Sequence, residues 1–433
     1  MRAAEGFPVS RRLAAALLLC AALALRAAAP APADQLSTLP SRVMVNWTED
    51  PSTGFSVTWR TDKTVKRAFG EILPACDSPA FAKKAQRVPA STEAYETDQG
   101  PALSHSVTFR NLQADTLYLY RAGDGANWSE WNQLRTASSK PEPLTFLYFG
   151  DVQLGIYAVW SRVVRQAFAM APEARFMVYA GDLINRHNAD QEWGEWFAAA
   201  GWIHRLMPSF PSPGNHEYSR ASGGEPKLTP NWRPQFTLPT NGAAGLEETN
   251  YYMDIQGLRM ISLNSNWKQR EQAEWLDRLL ANNPNRWTII VFHHPIYSTK
   301  RGRDNRELRE MWQPVFDRRG VDLVLQGHDH TYGRTNLVTG GKARSSRAGT
   351  VYVVSMSGAK MYDLAGDRIF ARVAEDTQLF QIVRIHDDTL RFEARTATGV
   401  LYDAFTLRKQ NGKPNRLINQ IPATPVHRRA ASE

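Results

Sequence analysis

Beyond residue 141 the chain repeats one pattern, a short apolar run followed by a longer amphipathic stretch. The runs 144–150, 176–180, 260–264, 287–292, 323–326 and 351–355 read as strands. Helical spacing falls near 157–171, 190–206, 269–282 and 305–318, and Pro314 is expected to kink or shorten the last of these. Alternating strand and helix means an α/β layered fold. In such sheets the chemistry gathers outside the carboxyl ends of the strands.

Before the Pro141-Glu142-Pro143 linker the texture differs. From about 40 to 138, short alternating runs (RVMVNWT, GFSVTWRT, RAFGEIL, SHSVTFRNL, TLYLYRAG, NQLRTA) are broken by turn residues, with no helical stretch between them. That pattern predicts an antiparallel β-sandwich of about seven strands. The segment from Leu112 to Tyr118 resembles the tyrosine corner of fibronectin type III domains. No cluster of His, Asp or Glu falls here, so this part is expected to position the rest rather than to catalyse. Asn46-Trp47-Thr48 and Asn127-Trp128-Ser129 match the glycosylation acceptor pattern.

The first 33 residues carry a basic start (Arg2, Arg11, Arg12), an apolar run from Leu13 to Leu25, and Ala31-Pro32-Ala33 before Asp34. This is the form of a cleaved secretory signal, and it places the mature chain outside the cytoplasm, secreted or periplasmic, from about Asp34. No other stretch reaches the ~18 apolar residues of a membrane helix. Cys20 leaves with the signal, so Cys76 is alone and an intramolecular disulfide is excluded. The formal net charge of +9 invites a nucleic-acid reading, but +3 of it belongs to the signal and +5 to the tail from Arg408 onward. The body is nearly neutral, so no nucleic-acid partner is expected. The tail, 409–433, has little periodicity and reads as a basic, loosely held end.

The strand ends hold the informative residues. The first strand runs into Asp151 and the second into Asp182; the run at 287 ends in His293 and His294, and that at 323 in His328 and His330. Between them lies Gly214-Asn215-His216-Glu217 after a proline-rich approach. Carboxylate, amide and imidazole ligands without thiolate suit Zn, Mn, Fe or other divalent ions. There are too many for one tetrahedral site. Two ions about 4 Å apart with a bridging carboxylate would use them all, and such a pair polarises phosphoryl oxygens. Alternation along the GHDH segment lets His328 and His330 serve neighbouring metals. Phosphoester hydrolysis follows.

GDVQ at 150, GDLIN at 181, GNHE at 214, VFHHP at 291 and GHDH at 327 resemble, in order, the five blocks of the calcineurin-like metallophosphoesterases. With the sandwich in front, the layout is similar to the purple acid phosphatases. Beside the signal (1–33) and the tail, the resemblance implies an N-terminal sandwich (34–140) and a four-layer α/β domain of two mixed sheets flanked by helices (141–408). By motif, Asp182 would bridge two divalent metals, Asp151 and His330 would hold the first, and Asn215, His293 and His328 the second. His216 would contact the phosphate and protonate the leaving oxygen, while a metal-bound hydroxide attacks a small phosphomonoester substrate. A diesterase acting on nucleotides or glycerophosphodiesters, and a noncatalytic binding protein, are the alternatives.

One departure from the pattern matters. Where purple acid phosphatases have the tyrosine whose phenolate gives the colour, this chain has Asn185, and where the wider family offers His it has Gln153. An amide oxygen from either, or a water, must complete the first metal's ligands, which favours a divalent ion and a colourless protein. His294 reads equally as a substrate contact or a support to its neighbour. Glu217 is expected to hold a ligand imidazole. His187 and His204 read as ordinary polar residues, and Trp193, Trp196 and Trp202 as core. The long segment from Tyr218 to Asn250 is expected to form a lip over the site.

Overall fold

The computed structural model describes residues 34–219, 224–343, 349–365 and 369–429; the segment read as a signal lies outside them. From Asp34 onward the chain forms one compact unit. The N-terminal part is a sandwich of two antiparallel four-stranded sheets. One orders Ser41–Trp47, Phe55–Asp62, Gly100–Phe109 and Ser91–Thr97, and the other Gln86–Pro89, Phe69–Pro74, Leu117–Gly123 and Asn132–Arg135. Its eighth strand arises because Gln86–Pro89 and Ser91–Thr97 are edge strands with mostly exposed polar side chains, and they carry little apolar alternation. The Tyr118 hydroxyl accepts the Gln113 N–H at 2.9 Å, which pins the corner between strands.

Two mixed seven-stranded sheets follow. In the first, Ser209–Pro211, Met177–Tyr179 and Leu144–Phe149 run parallel, and four antiparallel strands continue the sheet, ending with Lys413–Asn419 at the edge. In the second, Leu258–Ser262, Trp287–Val291, Leu323–Gln326 and Val351–Val354 are parallel. The helices Gln269–Ala281 and Arg306–Arg319 pack on its outer face through Leu276, Leu280, Trp312 and Phe316. The parallel register brings the carboxyl ends of both sets level. The two sheets meet there closely enough that the Ser357 N–H donates to the Gly150 carbonyl at 3.0 Å.

Several expectations change at this level. The helix Arg306–Arg319 runs through Pro314 without a break. The carbonyl that Pro314 cannot pair with belongs to Glu310, an exposed residue on the helix's solvent side. The stretch 190–206 is two helices, Asp190–Ala200 and Ile203–Leu206, split at Gly201 with φ 59°. The basic tail is not loose up to Arg429. Lys413–Asn419 pairs with Leu401–Gln410, Lys409 and Asn415 both reach the buried carboxylate of Asp322, and the Arg429 N–H donates to Glu375 at 3.0 Å. Two of its charges, on Lys409 and Arg429, meet carboxylates remote in sequence, Asp322 and Asp363, which local composition does not reveal.

The sandwich and the α/β part share one apolar core and a buried ionic cluster. Asp190 accepts from Arg42 and from Arg60, each at 2.7 Å, and all three side chains are 2 % exposed. Trp193 and Trp196 are fully buried, but Trp202 is 53 % exposed and packs edge-on against Phe168. From Thr229 the segment expected to form a lip instead packs on the sandwich, where Ser104 donates to the Pro234 carbonyl at 2.8 Å and Trp232 lies against Trp193. Asn46 is also buried at this junction; its amide donates to the Ser209 carbonyl at 2.9 Å and is closed to glycosylation.

Candidate metal centre

Each parallel strand delivers its polar residue through a tight turn. Asp182, His328 and His330 adopt left-handed backbone with φ of 51°, 73° and 50°, a region costly for residues with a Cβ. The pointing of His328 and His330 therefore comes from two left-handed turns, not from the alternation of a strand. At Gly214 and Gly327 a candidate ligand carboxylate folds back over the backbone, and a Cβ on Gly214 would clash with Asp182 Oδ1. A Cβ on Gly327 would sit 2.5 Å from Asp151 Oδ2.

The turns bring the side chains together in two groups that share Asp182. Ligand atoms of Asp182, His293 and His328 lie within 4.8 Å of one another, as do those of Asp151, Asp182 and His330. In the first group His293 Nδ1 donates to the Ala180 carbonyl at 2.8 Å, which turns Nε2 inward, 3.2 Å from Asp182 Oδ2 and 3.1 Å from Asn215 Oδ1. His328 Nδ1 lies 3.0 Å from the same Nε2. In the second, His330 Nδ1 donates to the Lys360 carbonyl at 3.0 Å, and its Nε2 faces Asp151 Oδ1 at 3.7 Å.

Lone pairs therefore converge on both places, which is unfavourable without a cation between them. Asp151 Oδ1 and Gln153 Oε1 are buried with no hydrogen-bond partner. The Gln153 NH2 sits between two acceptors, 2.8 Å from Asp182 Oδ2 and 3.2 Å from His330 Nε2. It thus stands where a cation would; rotation of the amide presents Oε1 to the same place. The donor set fits two divalent ions, with oxygen and imidazole ligands and no thiolate.

The electrostatics agree with that fit. Burial pushes the Asp151 carboxyl well above the usual range, and the nearby Asp182 charge adds to the shift. Burial would raise Asp182 too, but His293 and His216 pull it below the ordinary value. His293, which burial alone would lower, is raised to about 9 by Asp182 and Asp151. Burial brings His330 down to about 3 and holds His328 low as well, assisted by the His293 charge. Cations here would favour ionised carboxylates and neutral imidazoles, which is the protonation state that ligation needs.

His216 is 24 % exposed beside this centre. Its backbone N–H donates to Asp182 Oδ1 at 2.9 Å, and its Nδ1 donates to the Asn185 carbonyl, leaving Nε2 3.9 Å from Asp182 Oδ2. Of the two amides considered for the first metal, Gln153 therefore reaches the centre with its side chain, and Asn185 meets it through its backbone. His294 belongs to neither ligand group. Its ring stands 4.3 Å from that of His328, with Nδ1 2.8 Å from Ser265 Oγ. His187 is partly exposed, and His204 is fully buried against Trp196, with burial lowering it to about 3.

Glu217 holds no imidazole. Its buried carboxylate accepts the N–H groups of Asp182, Leu183 and Gly214 at 3.0, 2.8 and 2.7 Å, and so fixes the turn that carries Asp182. Backbone donors outcompete a side chain because the left-handed turn points them inward together. Asp329 was not singled out in the sequence. It is fully buried and accepts from Ser298, from the Thr299 N–H at 2.6 Å and from Arg303 at 2.7 Å, tying the loop after His294 to the GHDH turn. Its position between two ligand histidines was the available signal.

Comparison with known proteins agrees with this geometry. Residues 144–332 match the family described as calcineurin-like phosphoesterase, and 40–136 match the purple acid phosphatase N-terminal domain. An uncharacterised protein of Mycobacterium tuberculosis is 28 % identical over 338 residues, covering 68 % of this chain and 62 % of the relative. The chain thus spans about three-fifths of that relative's length. Purple acid phosphatase 18 of Arabidopsis thaliana is 23 % identical, covering 76 % of this chain and 73 % of its own. Among solved structures, purple acid phosphatase PPD1 from yellow lupin (Lupinus luteus) seeds superposes with a TM-score of 0.75 at 19 % identity, covering 85 % of this chain and 74 % of its own. PhoD does so with 0.66 at 13 %, covering 92 % and 96 %. Over residues 144–332 the chain is thus similar to the calcineurin-like phosphoesterases and, ahead of that stretch, over 40–136, to the N-terminal domain of the purple acid phosphatases.

Proposed function

We propose that this protein is an exported hydrolase of phosphomonoesters working at two divalent metal ions, Zn, Mn or Fe. The observation that carries the reading is the pair of ligand groups sharing Asp182, each with converging lone pairs and buried acceptors left unpaired. Asp151, Gln153, His330 and Asp182 would hold the first ion, and Asp182, Asn215, His293 and His328 the second. Such a pair, when bound, polarises phosphoryl oxygens and activates water near neutral pH.

The chain's own residues supply orientation and a proton. His216 is fixed by its Nδ1 contact to the Asn185 carbonyl, so its imidazolium keeps the Nε2 proton free to pass to the leaving oxygen. The Asn185 carbonyl is in turn held by its own turn, since the Asn185 and Arg186 N–H groups donate to Glu192 at 2.6 and 2.9 Å. His294, leaning on the His328 ring, would serve either as a substrate contact or as a support to that neighbouring ligand.

Metal analysis of purified protein and initial rates on p-nitrophenyl phosphate and its bis ester test the reading. His216→Ala should lower kcat by about a hundredfold or more while metal content is kept. Unchanged turnover removes His216 from the chemistry. A rate on the bis ester exceeding that on the monoester replaces the reading with a diesterase, and no metal uptake or turnover leaves a binding protein.

A further inference from the structure

Beside His330 a short stretch of chain gathers positive charge. The Tyr362 N–H donates to the His330 carbonyl at 3.2 Å, the Lys360 carbonyl accepts from His330 Nδ1, and the two aromatic rings meet edge to face at 4.8 Å. Around the Tyr362 ring stand three cations: Lys300 Nζ at 4.1 Å from its centre, Lys360 Nζ at 5.4 Å and the Arg303 guanidinium at 5.9 Å. The loop bearing Lys300 is fixed here by pairing of Lys300 with Leu364 and by the Ala365 N–H donating to Thr299 at 2.7 Å.

The carboxylates nearby are already used. Arg303 is neutralised by Asp329 at 2.7 Å, and Asp363 pairs with Arg429 at 3.2 Å. Among the described residues, Lys300 and Lys360 form no ion pair, and both are partly exposed. A tyrosine face attracts each ammonium, but two uncompensated ammoniums on one ring repel each other. Their arrangement is favourable when an anion arrives between them.

We infer that Lys300 and Lys360, seated on Tyr362, form a second anion subsite that selects small phosphoesters carrying another phosphate or carboxylate beyond the scissile phosphate. The inference rests on the proposed hydrolase reading for the scissile group. Both ammoniums lie within about 10 Å of the His330 ring, a span that one small bisphosphate covers. Two partly exposed pairings predict a preference of about three- to tenfold.

The test compares α,ω-alkanediol bisphosphates of increasing length with the matching monophosphates, using metal-loaded wild type and the double variant Lys300→Met, Lys360→Met. Wild type should show the preference in KM, strongest at one chain length and weakened by salt. The variant should lose it, read within each protein as the ratio of KM between the two series. Equal KM for both series in wild type, or a preference that survives in the variant, overturns the subsite. Calorimetry with the corresponding bisphosphonates and monophosphonates separates the two readings. A protein that turns over neither series but binds bisphosphonate more tightly through the two lysines loses the hydrolase reading and keeps the subsite. A protein that turns over monophosphates and shows no such difference loses the subsite alone.

Discussion

Replacing Asp190 by Asn should weaken the whole molecule. Asp190 lies at the start of Asp190–Ala200, eight positions after Asp182, and neutralises Arg42 and Arg60 where all three side chains are 2 % exposed. The substitution removes the charge and leaves two buried guanidiniums sharing Asp34, itself 24 % exposed. Breaking a buried pair from one side costs about 3–5 kcal/mol, or about two to four decades in the folding equilibrium. Burial would raise the Asp190 carboxyl, but Arg42 and Arg60 hold it below the ordinary value. Its contribution is thus fully present above the unfolded value near ~4 and is lost as pH falls through the folded one. Urea unfolding of both proteins at pH 7 and at successively lower pH measures this, and the two should converge in acid. A loss under ~1 kcal/mol at pH 7, or one that ignores pH, refutes the reasoning.

Expression with iron should give a protein with no strong visible absorption band, because Asn185 offers no phenolate; a purple or red product contradicts this. By elemental analysis, Asp182→Asn should lose both metals, whereas His330→Ala should retain one, since only Asp182 belongs to both ligand groups. Equal losses in the two variants would separate Asp182 from the bridging position. In a eukaryotic secretory host, mass spectrometry should find any glycan on Asn127 and none on Asn46, which is fully buried.

The α/β alternation and the five Asp and His side chains of the two candidate metal groups were legible because each lies within a local segment: an apolar run fixes the strand, and the polar residue near its carboxyl end follows. What escaped depends on partners distant in sequence. Glu217 could be placed near the site from the GNHE segment, but not its partners, because those N–H groups converge only after the Asp182 turn has formed. The tail looked unanchored because its counter-charge, Asp322, stands 87 residues before Lys409. Trp202 has the same helical spacing as Trp193 and Trp196, but Gly201 turns the chain away and leaves it outside. Gln153 and Asn185 were equivalent as letters. Backbone geometry separates them, because Gln153 N–H donates to the Asp182 carbonyl and so carries its side chain inward.

The left-handed conformations of Asp182, His328 and His330 set stability against function. Each costs about 1–3 kcal/mol, which the rest of the fold must sustain. A library of variants selected for heat resistance alone should therefore drift toward glycine at these three positions, where glycine relieves the strain. Such survivors would be hardier and empty-handed, having lost three of the proposed metal ligands while keeping the fold. Directed evolution of this chain needs a metal-dependent screen alongside the thermal one, or it will optimise the site away.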